Sequence, residues 1–317
     1  MTSIADRHFI LISFLLGLLA APASMFAATV TNQTAETARP ARAATPTESG
    51  YAHADWLADA AWLQTHLHDS NVKVIALTGS SEFKSGHIPG AAQIDWTDLG
   101  LADTSNPSIT HWQADIERAL THLGISRSDT VVIYDDGTLY APRLWWILDQ
   151  LGHRDKRILN GGLVAWTNAG GKVEKKISTV HAAAQSYKGT PNAAALATLD
   201  EVKAALDNPN VVLVDARTSA EYANGHIPGA INVPFVDNAV ATRPNVWKSR
   251  QDLRAMYEAA GVTPDKIVIP YCSTGVRSAA TYFALALLGY PRVSLYTGSW
   301  DEWSRHPELQ TSIGKKP

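Results

Sequence analysis

The chain has 317 residues, 45% of them apolar and 18% charged, with a formal net charge of −3. That apolar share supports buried cores, and the length accommodates two domains of ordinary size. No long basic block is present, which argues against nucleic acid or an anionic membrane surface as the partner.

The N-terminus reads as an export signal. Arg7 and His8 precede the apolar run Phe9 to Ala20, and Ala21-Pro22-Ala23 supplies small residues for cleavage after Ala23. The run is shorter than the ~20 residues of a comfortable membrane span. No cysteine follows it to carry a lipid anchor. The expectation is a signal over residues 1–23 and an exported protein of the bacterial periplasm, with no stable membrane association once the signal is removed. An uncleaved anchor is the alternative. Residues 24–50, rich in Thr, Ala and Pro without apolar periodicity, read as a disordered tether.

A repeat comes next. Ser85-Gly86-His87-Ile88-Pro89-Gly90-Ala91 returns as Asn224-Gly225-His226-Ile227-Pro228-Gly229-Ala230. Each copy is preceded by a β-branched run, Val72 to Leu77 and Val211 to Val214, and by an acidic-aromatic pair, Glu82-Phe83 and Glu221-Tyr222. Downstream, Thr130 to Tyr134 is matched with Lys266 to Pro270, and Asn160-Gly161-Gly162 with Trp166 answers Thr297-Gly298-Ser299 with Trp303. Several features in the same order imply a duplicated domain of about 120 residues, inside the usual domain range.

Apolar strands alternate with helical stretches such as Leu253 to Ala260 and Ala279 to Leu288, with Gly261 and Gly289 as stops. This pattern predicts an α/β fold of two tandem domains, each a parallel sheet flanked by helices. The boundaries are 51–175 for the first domain, 176–196 for a connector and 197–312 for the second.

Cys272 is the one cysteine in the chain, so within an oxidising compartment it has no disulfide partner of its own. A buried hydrophobic role is the bland reading of such a thiol. Its setting favours chemistry. A β-branched strand, Lys266 to Tyr271, delivers Cys272 to its C-terminal end, where open parallel sheets bind ligands. Ser273-Thr274-Gly275-Val276-Arg277-Ser278 then forms a small-residue loop into a helix. Inward loop N–H groups, a helix N-terminus and Arg277 would each favour a thiolate over a free thiol's pKa of about 8.5.

These segments resemble the rhodanese superfamily of sulfurtransferases in tandem form, over roughly residues 51 to 310. The motifs are Asp215-Ala216-Arg217, Glu221 to Gly229, Tyr134-Asp135, Ala141-Pro142-Arg143-Leu144-Trp145-Trp146, Leu159 to Gly162, and the Cys272 loop. The resemblance implies an inactive first domain and a catalytic second one. Asp136 is matched here with the position of Cys272, and a carboxylate there carries no sulfur.

What the resemblance implies mechanistically is a sulfurtransferase. Cys272 takes the outer sulfur of thiosulfate as a persulfide and yields it to a thiophilic acceptor, cyanide or a thiol, with no metal and no organic cofactor. The partners would be a small-molecule donor and acceptor, with a protein sulfur acceptor as an alternative. Substrate contacts fall to Ser273, Thr274, Gly275, Val276, Arg277 and Lys188. Asp215, Arg217 and Ser278 support the site, the first two as an ionic network that Glu221 could join. Arg143 is read as a domain-packing residue with an active-site role as the alternative, and His87 and His226 as turn-stabilising ones.

Two neighbouring readings are weighed. Cysteine phosphatases place five residues between Cys and Arg, whereas four intervene here, a cradle better suited to one sulfur than to a phosphate. 3-Mercaptopyruvate sulfurtransferases share the loop type, and Ser273 and Thr274 stand where animal thiosulfate enzymes carry basic residues. Ala193 also stands where those enzymes place a connector arginine. Arg277 supports thiosulfate by charge complementarity. A sulfur carrier with slow small-molecule turnover is the reading from a different class.

Overall fold

The structure is a computed structural model, and it describes residues 50–317. The signal and tether readings fall essentially outside these residues. Among the described residues no helix is long and apolar enough to cross a membrane.

The first copy runs β1 (Leu57–Ala58), α1 (Ala60–His66), β2 (Val72–Leu77), α2 (Ser80–Ser85), β3 (Ala92–Ile94), α3 (Asn106–His122), β4 (Thr130–Tyr134), α4 (Ala141–Gln150), β5 (Lys156–Leu159) and α5 (Gly162–Asn168). Its five strands are parallel, in the order β1-β5-β4-β2-β3. β4 sits between β5 and β2 and is buried at every position, as a β-branched strand covered on both faces should be.

The second copy runs α6 (Leu199–Ala205), β6 (Val211–Asp215), α7 (Ser219–Asn224), β7 (Ile231–Asn232), α8 (Arg250–Ala259), β8 (Ile267–Tyr271), α9 (Ser278–Leu287) and α10 (Ser299–Trp303). Its regular sheet is β7-β6-β8, again parallel, and parallel bridges Val268–Val293 and Leu196–Leu295 continue it. The N-caps of α6 and α7 are Thr198 and Thr218, each in a reciprocal capping box with a Glu three residues on.

The two copies share a core. α4 and α9 are apolar nearly all round and pack on one another, with Trp145 edge-on to Phe283 at 4.9 Å and Trp247 against the same ring. This seam sets residues at the start of α4 against the loop that precedes α9. The connector lies along the first copy, where Thr190 N–H donates to Leu151 and Ala183 N–H donates to Thr121.

His87 and His226 are both fully buried. Each sends Nδ1 to the carbonyl four residues back, Phe83 or Tyr222, and stacks on that residue's ring at 3.9 and 3.7 Å. Each also forms a backbone bridge, to Glu174 and Ser312 respectively. The shared signature is thus a turn closed by a stacked imidazole in both copies.

Candidate active site

The register between the copies is set by tyrosine. Tyr134 Oη accepts the N–H of Ile88 at 3.2 Å, and Tyr271 Oη accepts the N–H of Ile227 at 3.1 Å. On the far side, Leu163 N–H donates to the Asp135 carbonyl and Trp300 N–H to the Cys272 carbonyl, both at 3.0 Å. The residue equivalent to Cys272 is therefore Asp135, which corrects the sequence match to Asp136. Pairing the apolar runs puts the copies one residue out of step, because β-branched composition alone does not fix register.

The two loops have equal length. Asp135 precedes Ala141, the first residue of α4, by the same six positions that separate Cys272 from Ser278. In the first copy the loop is occupied from within. The buried Asp135 carboxylate accepts the N–H of Gly137 and of Ala141, each at 2.8 Å. Burial pushes its carboxyl up, and these N–H donors partly offset that. In the second copy, among the described residues, the N–H groups of Ser273 to Ser278 donate to no hydrogen bond within the protein. A run of unpaired N–H donors directly after a small side chain has the makings of an anion cradle.

Cys272 itself is fully buried at the C-terminal end of β8. Its N–H donates to Ser299 Oγ at 3.1 Å, and that hydroxyl donates to the Tyr296 carbonyl. Ser299 holds φ of 57°, a left-handed conformation that the first copy meets with Gly162 at 56°. Sequence reasoning treated Ser299 only as part of a turn. The usable signal is a serine standing where the repeat has glycine. Gly275 is glycine for two reasons. Its φ is +79°, and a Cβ there would lie 2.7 Å from the Thr297 carbonyl.

Arg277 points at the loop but is held. Its guanidinium takes both oxygens of Glu221, at 2.9 and 2.8 Å, and donates to Ser273 Oγ at 2.7 Å. Glu221 is thereby pushed down to about 2, first by these Arg277 hydrogen bonds, and Arg277 is held above its ordinary value by the same pair. Glu221, which the sequence allows to join Asp215 and Arg217, pairs with Arg277 instead. Asp215 and Arg217 form their own buried pair, 2.6 Å between Arg217 Nη2 and Asp215 Oδ2, and Arg217 also donates to the Gly225 carbonyl. Its guanidinium lies 4.7 Å over the Trp300 ring, so the pair braces the wall beside Cys272. Ser278 is buried at the first position of α9.

Lys188 is not brought to the site. Its ammonium is exposed and pairs with Glu117 of α3 at 2.6 Å, while the next N–H, of Gly189, donates to the other Glu117 oxygen. The connector uses that lysine to fasten itself to the first copy, which removes it from substrate binding.

Arg143 does reach the site. From α4 it sends Nη1 to Thr297 Oγ1 at 2.7 Å and to the Gly275 carbonyl at 3.4 Å, and Nη2 to the Leu99 carbonyl at 2.7 Å. Burial pushes its guanidinium down to about 10, and the nearby Cys272 sulfur opposes that shift. Packing of the domains accounts for only part of this placement.

The mouth beside Arg277 is aromatic and drawn from both copies. Trp96 meets Tyr140 edge-on at 5.6 Å, Tyr140 meets Phe235 at 6.4 Å, and Arg277 lies 6.0 Å from the Phe235 ring centre. A separate cavity of about 480 Å³, lined by His53, Trp56, Asp149, Tyr282 and Arg292, opens at the other end of the sheet near Ile267. Ile267 begins β8, so that cavity and Cys272 lie at opposite ends of one strand.

A loop of unpaired N–H groups after a strand-end cysteine, repeated with a carboxylate in the other copy, defines a duplicated α/β domain with one thiol site. The chain belongs to the rhodanese-like domain family, which matches residues 59–169 and 198–306, and to the family's sulfurtransferases. It is 34% identical to a thiosulfate sulfurtransferase of Pseudomonas aeruginosa, over 76% of this chain and 90% of that one. It is equally 34% identical to the sulfur carrier protein TtuD of Thermus thermophilus, over 80% and 95%. Among solved structures, SseA from Escherichia coli, described as a 3-mercaptopyruvate sulfotransferase with the rhodanese fold, aligns with a TM-score of 0.68 at 31% identity, over 77% of this chain and 98% of that one. The anaerobic ergothioneine biosynthesis enzyme from Chlorobium limicola, bound to trimethyl histidine, aligns with a TM-score of 0.74 at 25% identity, over 83% of this chain and 71% of that one.

Proposed function

We propose that this protein moves the outer sulfur of thiosulfate to a thiophilic acceptor, cyanide or a thiol, through a persulfide on Cys272. The observation that carries this reading is the Asp135 carboxylate seated in the equivalent loop. Aspartate holds its oxygens two bonds beyond Cβ, as a persulfide holds its outer sulfur. The donors on Gly137 and Ala141 thus correspond to N–H groups of Thr274 and Ser278 that would receive that sulfur.

In the first half-reaction the Cys272 thiolate attacks the outer sulfur of thiosulfate. A new S–S bond forms, the old one breaks, and sulfite leaves with its electron pair. In the second, the acceptor attacks the persulfide's outer sulfur and returns the thiolate, giving thiocyanate when the acceptor is cyanide. Two half-reactions through one covalent intermediate give ping-pong kinetics. The loop N–H groups of Ser273, Thr274, Gly275, Val276, Arg277 and Ser278 hold the sulfur. Two guanidiniums, Arg143 and Arg277, supply positive potential for a dianionic donor.

Intact-protein mass after incubation with thiosulfate tests the reading. The expected result is a gain of one sulfur that cyanide removes, absent in Cys272→Ser. Greater efficiency with 3-mercaptopyruvate under the same conditions would replace the donor but keep the persulfide. A carrier role is the second reading, favoured by the half-open aromatic mouth at Trp96 and the exposed Val236 beside Phe235. Sulfur that only another protein can remove supports it. Export through residues 1–23 belongs to the same proposal and is checked by fractionating cells that make the full chain.

A further inference from the structure

The guanidinium of Arg143 is fully buried, yet among the described residues no carboxylate lies within ion-pair distance of it. Its hydrogen-bond partners are two carbonyls and one hydroxyl, and Nε has no partner. The rings of Trp146 and Trp112 lie at 4.9 and 5.9 Å. A buried cation without a counter-ion is costly, and an apolar side chain would pack this helix seam more cheaply. The repeat sharpens the point. The residue of α9 equivalent to Arg143 is Ala280, also buried, so the loop that holds the Asp135 carboxylate is given no matching cation. The guanidinium is spent on one copy only, the one with the cysteine.

We propose that Arg143, contributed by the silent domain, is a positioning residue that holds the Gly275 turn of the catalytic loop and supplies the fixed counter-charge for Cys272 as thiolate and as persulfide. It acts through Thr297 and the Gly275 carbonyl and does not touch the substrate. The proposal rests on Cys272 being the reacting group. The other charged or titratable groups on elements packed around Cys272 are Arg277 with Glu221, Asp215 with Arg217, Tyr140, Tyr271, and Asp301 and Glu302 of α10. Arg277 and Arg217 are each offset by a carboxylate, and Arg143 is not. Coupling is reciprocal. If an ionised sulfur stabilises the buried guanidinium, the guanidinium stabilises the ionised sulfur equally.

The test is the rate of Cys272 alkylation by iodoacetamide across pH, read by mass on the full chain, with folding checked by thermal melting. Arg143→Met is expected to move the midpoint upward by about one pH unit, a tenfold slower reaction at a pH below both midpoints. Arg143→Lys, which keeps the charge, stays near the wild type. A folded Arg143→Met with an unmoved midpoint overturns the proposal. If that variant does not fold, Thr297→Val decides, because it keeps the charge and removes the hydroxyl that aims it. A smaller upward move supports the proposal, and an unmoved midpoint overturns it. Alkylation needs no sulfur donor. Failure of the wild type to load sulfur would therefore defeat the thiosulfate reading and leave the Arg143 result standing.

Discussion

Glu221 grips Arg277 with both carboxylate oxygens, at 2.9 and 2.8 Å, and Arg277 in turn donates to Ser273 in the catalytic loop. The pair gives stability a pH signature. The Glu221 carboxyl is held down at about 2 in the folded chain against 4.5 for a free side chain. A depressed folded value means the contribution is fully present above 4.5 and is lost as pH falls through about 2. The melting-temperature gap between wild type and Glu221→Gln should therefore narrow as pH drops through that window. At neutral pH, Glu221→Gln frees Arg277 from its carboxylate, so KM for thiosulfate should fall, whereas Arg277→Ala should raise it by about tenfold, the loss of one charge-assisted contact. Equal KM in all three proteins would remove Arg277 from donor binding.

Asp135 offers a separate test in the first copy. Its carboxylate satisfies the N–H groups of Gly137 and Ala141 in a buried loop. Asp135→Ala leaves both unpaired, and denaturant unfolding should show a loss of about 1–3 kcal/mol. The catalytic loop belongs to the other copy, so kcat/KM at a temperature where the variant is folded should stay near wild type. A stable variant would mean that the loop N–H groups find other partners.

Much of this architecture is legible in the sequence, because the Gly-His-Ile-Pro-Gly turn needs a stacked histidine and positive-φ glycine in both copies. The Cys272 loop is legible for a similar reason, since strand, small residues and helix follow one another without interruption. Register was not. Each turn lies equally far from the strand before it, but His87 precedes Tyr134 by 47 residues and His226 precedes Tyr271 by 45, so the turn does not carry the register forward and matching apolar runs places the acid one residue off. A constant separation of 137 residues links Asn160 to Thr297 and Trp166 to Trp303, and the same step takes Asp135 to Cys272. The sequence singles out Arg143 but not its partners, for a different reason. Its partners, Leu99, Gly275 and Thr297, lie far off in sequence and include two backbone carbonyls that no side-chain pattern reports.

Lys188 is the residue whose sequence role the geometry displaces. An exposed ammonium paired with Glu117 in high dielectric contributes roughly 0–1 kcal/mol. Lys188→Ala should leave KM for thiosulfate unchanged and shift the melting temperature only slightly. A KM raised severalfold would bring the connector back into donor binding.

The two residues that shape the cysteine's backbone should differ in stability, though not in activity, when one gains and the other loses a side chain. Gly275→Ala forces a methyl into left-handed backbone, against the Thr297 carbonyl at 2.7 Å. Strain of about 1–3 kcal/mol falls on the loop itself, so stability and kcat/KM should drop together. Ser299→Gly removes the hydroxyl that accepts the Cys272 N–H but relieves a left-handed conformation worth about 1–2 kcal/mol. Its melting temperature should hold while kcat/KM falls, because the freed N–H no longer anchors the strand end that carries the sulfur. Sulfur loading by mass alongside thermal melting separates the cases. If Ser299→Gly loads sulfur at the wild-type rate, Ser299 is only a turn residue, and Gly162 is its full equivalent.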